Sequence, residues 1–155
     1  MKLIVFSDSH RALDHMQTVI QLEQPDQVFH LGDHDADAAL LRQQFPTLPV
    51  AMVQGNCDRG SDSPLTLTPV LEGIRFFLCH GQGYHVKQGI STAVYAAMEA
   101  QAQVLLYGHT HIAHQDEINE IHILNPGSCG ICYQPSYGFF VLEQGQLLDW
   151  GIRSL

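Results

Sequence analysis

Residues 2–10 read Lys-Leu-Ile-Val-Phe-Ser-Asp-Ser-His, and no other stretch constrains the fold as tightly. Residues 3–6 are uninterrupted in their hydrophobicity and rich in strand formers, the pattern of a strand buried on both faces in the middle of a sheet. Asp8 and His10 follow at its C-terminal end. In layered α/β architectures ligand crevices open at that end, because the loops leaving it project side chains into a common space. The question the rest of the chain must answer is which other residues arrive there.

A chain of 155 residues can bury one substantial core and is too short for two comfortable ones, so residues 1–155 are expected to form a single domain. No apolar run approaches the roughly 18 residues of a membrane helix. The N-terminus also lacks the basic-then-apolar pattern of a secretory signal. A cytoplasmic protein with no membrane partner is therefore expected. Sixteen acids against seven bases, a formal charge of -9, argue against a surface for nucleic-acid polymers, which needs clustered Lys and Arg. Part of that negative charge is available to offset bound cations. Without an export signal, Cys57, Cys79, Cys129 and Cys132 are expected to be thiols.

Along the chain, residues 11–23 place Leu13, Met16, Val19, Ile20 and Leu22 near helical spacing, and Pro25 ends the pattern. Residues 27–31 form a second apolar run that stops at Gly32-Asp33. Residues 35–45 read as a helix ending before Pro46, and residues 50–53 as a strand ending in Gln54-Gly55-Asn56-Cys57-Asp58. This alternation is the βαβ rhythm of a parallel sheet. Residues 65–71 and 74–79 then predict a hairpin across Glu72-Gly73, the second run stopping at His80-Gly81. Residues 92–103 predict an Ala-rich helix, and residues 104–107 a strand that stops at Gly108-His109-Thr110-His111. Strand-like pieces at 113–118, 121–124, 137–142 and 146–152 complete the chain.

Five strand ends thus carry metal-capable groups: Asp8 with His10, Asp33, Asn56, His80, and His109 with His111. Singly each is weak, because Gly-Asp, Gly-Asn and Asp-x-His are common turn sequences. Their joint occurrence at strand ends carries the inference. Seven oxygen and nitrogen donors exceed what one tetrahedral zinc takes and suit two divalent ions sharing a carboxylate. Mixed imidazole and carboxylate ligation favours first-row transition metals over magnesium or calcium, with manganese taken first and iron, nickel and zinc compatible.

Together Asp8-Ser9-His10, Gly32-Asp33, Gly55-Asn56-Cys57-Asp58, Cys79-His80-Gly81 and Gly108-His109-Thr110-His111 resemble the motifs of the calcineurin-like metallophosphoesterase superfamily. Within it the chain is similar to the small prokaryotic phosphodiesterases related to Vps29, whose C-terminal signature Asn125-Pro126-Gly127-Ser128 and Pro135-Ser136-Tyr137 resemble. The resemblance implies an α/β fold, a four-layer α-β-β-α sandwich of two mixed sheets flanked by helices. It implies a dinuclear-metal-dependent phosphodiesterase that hydrolyses small phosphoesters with a metal-bridging hydroxide as nucleophile. Asp8, His10 and His111 would hold one ion and Asn56, His80 and His109 the other, with Asp33 bridging. Asp33, Asn56, Cys57, Asp58 and His109 form the implied catalytic set. A Vps29-like interaction scaffold with little or no catalysis, and a phosphomonoesterase, are the rival readings.

The chain also departs from the superfamily pattern. Cys57 stands where many members carry His. A thiol is a poorer general acid than imidazolium near neutrality, so diesters with good leaving groups are expected to turn over better than alkyl esters. The bland alternative is that Cys57 packs. The Arg often found between the Pro-Gly-Ser and Pro-Ser-Tyr segments is missing, leaving Arg11 and Arg59 as candidate replacements. Asp58 is expected to orient His80 or His109, or to cap its own turn. His34 and His85 read as surface groups, and His15, His30, His114 and His122 as structural. Cys129-Gly130-Ile131-Cys132 has dithiol spacing without a thioredoxin-like context and reads as packing. Exposed strand edges in so small a sandwich suggest a homodimer.

Overall fold

In the computed structural model, which describes residues 1–130 and 132–155, strand β1 (Lys2–Phe6) is paired on both sides. Its parallel neighbour β2 (Gln27–His30) is reached through helix α1 (Leu13–Glu23). Helix α2 (Asp35–Gln44) then leads to β3 (Val50–Met52), again parallel. On the other side β1 pairs antiparallel with β10 (Ser136–Glu143), which pairs with β11 (Gln146–Ser154), giving the order β11-β10-β1-β2-β3.

The second sheet runs β4 (Thr66–Leu67), β6 (Ile74–Cys79), β7 (Val104–Leu106), β9 (Ile121–Asn125), β8 (His114–Ile118), with β5 (Val70–Leu71) turned back onto β6. Helix α3 (Ser91–Glu99) connects β6 to β7, which lie parallel. The hairpin across Glu72-Gly73 forms as expected, Leu71 opposite Ile74. The single strand expected over 65–71 does not, because Pro69 falls inside it. Proline has no N–H for a ladder, and only its carbonyl is used, accepting from the Phe76 N–H at 2.9 Å. Helix α3 also ends before the Ala-rich pattern does. Gln101 turns left-handed at φ 54°, and the Ala102 N–H bonds back to the Ala97 carbonyl, closing the last turn.

Three apolar clusters set the layers. Leu3 and Val5 face inward, between the sheets, onto Phe29, Leu31, Phe76, Leu78 and Phe140. The Phe76 ring meets Phe29 and Phe140 edge-on at 5.8 and 5.7 Å between centroids, a favoured aromatic geometry. Ile4 and Phe6 alternate to the other face and pack on Met16, Val19 and Ile20 of α1 and Leu41 of α2. Phe77, Leu105 and Ile123 turn away from the inter-sheet core onto Ala93, Val94 and Ala97 of α3. The result is the expected α-β-β-α sandwich, with residues 3–6 buried on both faces.

This topology positions the site. β1, β2 and β3 are parallel in one sheet, β6, β7 and β9 in the other. Their C-terminal ends carry Asp8, Asp33, Asn56, His80, His109 and Asn125. Loops from the two sheets are tied to each other there. The His109 N–H donates to Asp8 Oδ2 at 3.1 Å, and the Cys129 N–H donates to the Ser7 carbonyl at 3.1 Å.

Candidate metal centre

The chain changes hand as it leaves these strands. Asp8, His10, Asp33, His109 and His111 have φ of 53°, 43°, 61°, 68° and 59°. Left-handed backbone is unfavourable for residues with a Cβ, and five such residues in one place mark loops bent to aim side chains. Two glycines let the backbone pass against the carboxylates. A Cβ on Gly55 would lie 2.2 Å from Asp33 Oδ1, and one on Gly108 would lie 1.9 Å from Ser7 Oγ.

One donor atom from each of Asp8, His10, Asp33 and His111 lies within 4.8 Å of the others. His111 Nε2 is 3.1 Å from Asp8 Oδ1 and 3.4 Å from His10 Nε2, which is 3.9 Å from Asp33 Oδ2. The same Asp33 oxygen lies 3.5 Å from His80 Nε2, which is 2.9 Å from Asn56 Oδ1. The His109 ring adjoins that of His80, 5.0 Å between centroids. The structure thus gathers the seven sequence-predicted residues where the parallel strands end, with Asp33 Oδ2 facing both His10 and His80.

Each of the two central carboxylates is divided between the protein and the crevice. Asp8 Oδ2 accepts from the Ser7 hydroxyl at 2.6 Å and the His109 N–H, whereas the buried Oδ1 has no hydrogen-bond partner among the described residues. Asp33 Oδ1 accepts from the Cys57 N–H at 2.9 Å, and Oδ2 faces imidazoles. His80 Nδ1 lies 2.8 Å from the Leu31 carbonyl and so carries the proton donated there. Its Nε2 lone pair then points at Asn56 Oδ1 and Asp33 Oδ2, acceptor against acceptors. Either a second proton on the ring or a cation in the crevice satisfies that arrangement, and a buried carboxylate oxygen without a donor argues for the cation. The donor set fits divalent metal.

The charges respond accordingly. Burial opposes ionisation of Asp8, but the His111 imidazole 3.1 Å from Oδ1, with His80 and the Ser7 hydroxyl, prevails and holds its pKa below the usual carboxylate range. The nearness of Asp8 in turn raises the pKa of His111. Burial, reinforced by His80, lowers the pKa of His109, which favours the neutral ring a metal requires.

Asp58 departs from expectation. Neither His80 nor His109 is its partner. Its Oδ2 accepts the N–H groups of Asp33 and Gly55, and its Oδ1 those of His34 and Asp35, all at 2.7–2.9 Å. Burial disfavours the charge, yet these four donors outweigh it and lower the pKa. The carboxylate also sits at the N-terminus of α2, where His34 supplies no side-chain cap. Asp58 therefore fixes the backbone of Asp33 and of the Asn56 loop together. The signal for this was the Asp itself, but three of its four targets lie 23–25 residues upstream.

Sequence reasoning missed a second set of braces. His30 is wholly buried. Its Nδ1 accepts from the Gly32 N–H, so Nε2 donates to Ser9 Oγ at 3.0 Å, and Ser9 in turn donates to Asp37 Oδ2 at 2.6 Å. Asp37 also accepts the Arg11 N–H. This chain of bonds anchors the loop between Asp8 and His10. Asn125 Nδ2 donates to the Gly108 carbonyl and Thr110 Oγ1, and the Ser128 hydroxyl to the Asp8 carbonyl, which gives the Asn-Pro-Gly-Ser segment a physical role. Ser136 continues it by donating to the Pro126 carbonyl.

Of the remaining sequence candidates, Cys57 is exposed beside Asn56 rather than packed in the core. Burial and then the Asp33 charge raise its pKa. Cys129 is buried and its thiol pushed up by that burial, while Cys132 is exposed; Ile131 between them lies outside the described residues. Arg59 lines a cavity with Asn56 and His80, and Arg11 is exposed after His10.

A fold of two mixed sheets between helices, with carboxylates and imidazoles gathered where the parallel strands end, defines a metal-dependent phosphoesterase. The chain belongs to the calcineurin-like phosphoesterase superfamily, whose domain matches residues 1–145. It is 34% identical to a probable metallophosphoesterase of Mycoplasma pneumoniae, over 96% of this chain and 94% of that protein. It is 31% identical to the phosphodiesterase YfcE of Escherichia coli, over 84% and 80%. Among solved structures, Vps29 of Entamoeba histolytica in complex with zinc superposes with a TM-score of 0.78 at 18% identity, over 100% and 98% of the two chains. Among the described residues no helix is long and apolar enough to cross a membrane.

Two outcomes follow from the braces. Asp58→Asn puts an amide donor among four N–H groups. It should lower unfolding stability by about 2–4 kcal/mol in urea titrations and weaken divalent-metal binding by roughly 10- to 100-fold in calorimetry. Unchanged metal affinity would refute the bracing role. His30, in turn, has its pKa lowered to about 4 by burial, against the usual 6.5. The unfolded chain then binds the extra proton first as pH falls, so stability should be intact above about pH 6.5 and decline toward pH 4, by about 3 kcal/mol from this residue. His30→Gln should flatten that part of the stability curve of the metal-free protein, measured by urea unfolding at each pH.

Proposed function

We propose that this single domain holds two divalent ions, manganese foremost, and hydrolyses small phosphodiesters. The observation that carries the reading is the place of Asp33, whose one free oxygen faces His10 at 3.9 Å and His80 at 3.5 Å. A carboxylate oxygen set between two donor groups is what a shared ligand requires. Asp8, His10 and His111 would hold one ion and Asn56, His80 and His109 the other, with Asp33 common to both. When bound, such ions supply Lewis-acid charge at phosphate oxygens and lower the pKa of a coordinated water.

The chain's own groups do the positioning. Ser7 and the His109 N–H lock one oxygen of Asp8, leaving the other aimed into the crevice. The Leu31 carbonyl selects the His80 tautomer whose Nε2 faces inward. Asp58 keeps the Asp33 and Asn56 loops in register. Cys57, exposed beside Asn56 with a raised pKa, remains a protonated thiol at neutral pH and is a reluctant proton donor. That favours esters whose leaving group needs no proton. Diester preference is further supported by the description of the Escherichia coli relative as a phosphodiesterase. Retention of every donor supports catalysis over a purely scaffolding role.

The test is hydrolysis of bis-p-nitrophenyl phosphate with added manganese. Asp33→Asn should reduce the rate by roughly 100- to 1,000-fold, the scale on which removing one transition-state-stabilising group acts. Equal rates in the two proteins would remove the catalytic reading. Cys57→His should raise turnover of a dialkyl diester more than that of the activated aryl diester. If both substrates respond alike, the account of Cys57 is wrong.

A further inference from the structure

A cavity of about 560 Å³ opens from Asn56 and His80 and extends away from Asp8, His10 and His111, none of which lines it. That is far more space than a phosphate needs and lies within the range of small-molecule sites. Leu65, Tyr84, Gln82 and Arg59 also line it. That lining is built rather than accidental. Tyr84 stands edge-on to Phe77 at 5.9 Å, and its N–H bonds the Gly81 carbonyl, so the ring is held on the α3 side of the sandwich. Leu65, another apolar lining residue, is 70% exposed.

Arg59 rides on a loop closed at its base. The Gln54 N–H donates to the Pro64 carbonyl at 2.8 Å, and the Gln54 side chain donates to the Asp58 carbonyl at 2.8 Å. Lys2 and Arg153 both pair with Glu23. Arg59, in a chain with sixteen acids, forms no salt bridge among the described residues. A cavity lined by a guanidinium without a salt bridge and by apolar and aromatic residues is matched by a ligand that is flat in the middle and anionic at its edge.

Resting on the phosphodiesterase reading, we propose that this cavity binds one ester arm of the substrate, an aromatic arm that carries an anionic substituent, with Leu65 and Tyr84 against the ring and Arg59 on the anion. Arg59 is then a specificity-determining residue that distinguishes substrates by the charge of that arm and does not act on the reacting phosphorus.

The probes are methyl 4-nitrophenyl phosphate and methyl 3-carboxy-4-nitrophenyl phosphate, which differ only in one carboxylate on the aromatic arm. With the manganese-loaded wild-type protein, kcat/KM should favour the carboxylated ester by roughly tenfold, the scale of one charge-assisted hydrogen bond. Arg59→Met should bring the ratio to about one, and Arg59→Lys should leave it between. A ratio near one in the wild type, or a ratio that survives in Arg59→Met, overturns the proposal. If the wild type cleaves neither ester, the phosphodiesterase reading has failed and calorimetry decides the cavity separately. Tighter binding of 3-carboxy-4-nitrophenol than of 4-nitrophenol, lost in Arg59→Met, upholds the subsite; equal binding of the two phenols refutes it.

Discussion

The site rests on one electrostatic constraint: carboxylate oxygens are buried where too few protein donors reach them. Four of the sixteen acids, Asp8, Asp33, Asp37 and Asp58, are nearly inaccessible to water. Asp58 is engaged through both oxygens by backbone donors, and Asp37 through Oδ2 by the Ser9 hydroxyl and the Arg11 N–H, so both stabilise loops. Asp8 and Asp33 each hydrogen-bond to the protein through one oxygen only, and the other faces imidazole nitrogens. Burying a charge without a partner is costly, so the crevice is poised for a cation. Function and local instability share an origin here.

Sandwich topology makes that crowding unavoidable. Parallel strands from both sheets end at the same edge, and the loops leaving them meet across the gap rather than along it. The backbone must turn sharply at each end, which explains left-handed residues at five of the donors and glycines where a Cβ would strike a neighbour. Such strained turns persist only where the surroundings hold them, and the braces from His30, Asp58, Asn125 and Ser128 supply that hold. Removing a brace acts on the donors at a distance, without touching them.

Much of this was legible in the sequence because the strands are apolar and the donors follow them at once. Residues 3–6 announced a strand buried on both faces, and the polar group after each run marked the crevice. What was not legible depended on distant partners. Asp58 was assigned to nearby imidazoles because spacing says nothing about residues 33–35, which only the fold brings beside it. His30 ends a strand and looks like any core residue until Ser9 and Asp37 are placed against it. The break at Pro69 carried its signal in plain view, whereas the left-handed Gln101 that ends α3 has none, since glycine is the usual marker of such a stop.

Site and fold are nevertheless separable. The three apolar clusters contain none of the seven donors, and the layers are held by side chains pointing between the sheets or beneath the helices. Apolar burial is therefore supplied by surfaces the site does not use, while the loops at the strand ends depend on their own polar braces. In such a scaffold, selectivity is set by whatever borders the crevice. Here those borders include the exposed Cys57 thiol, where superfamily members often carry imidazole, and a cavity lined by Arg59, features that adjoin the gathered carboxylates and imidazoles without belonging to them.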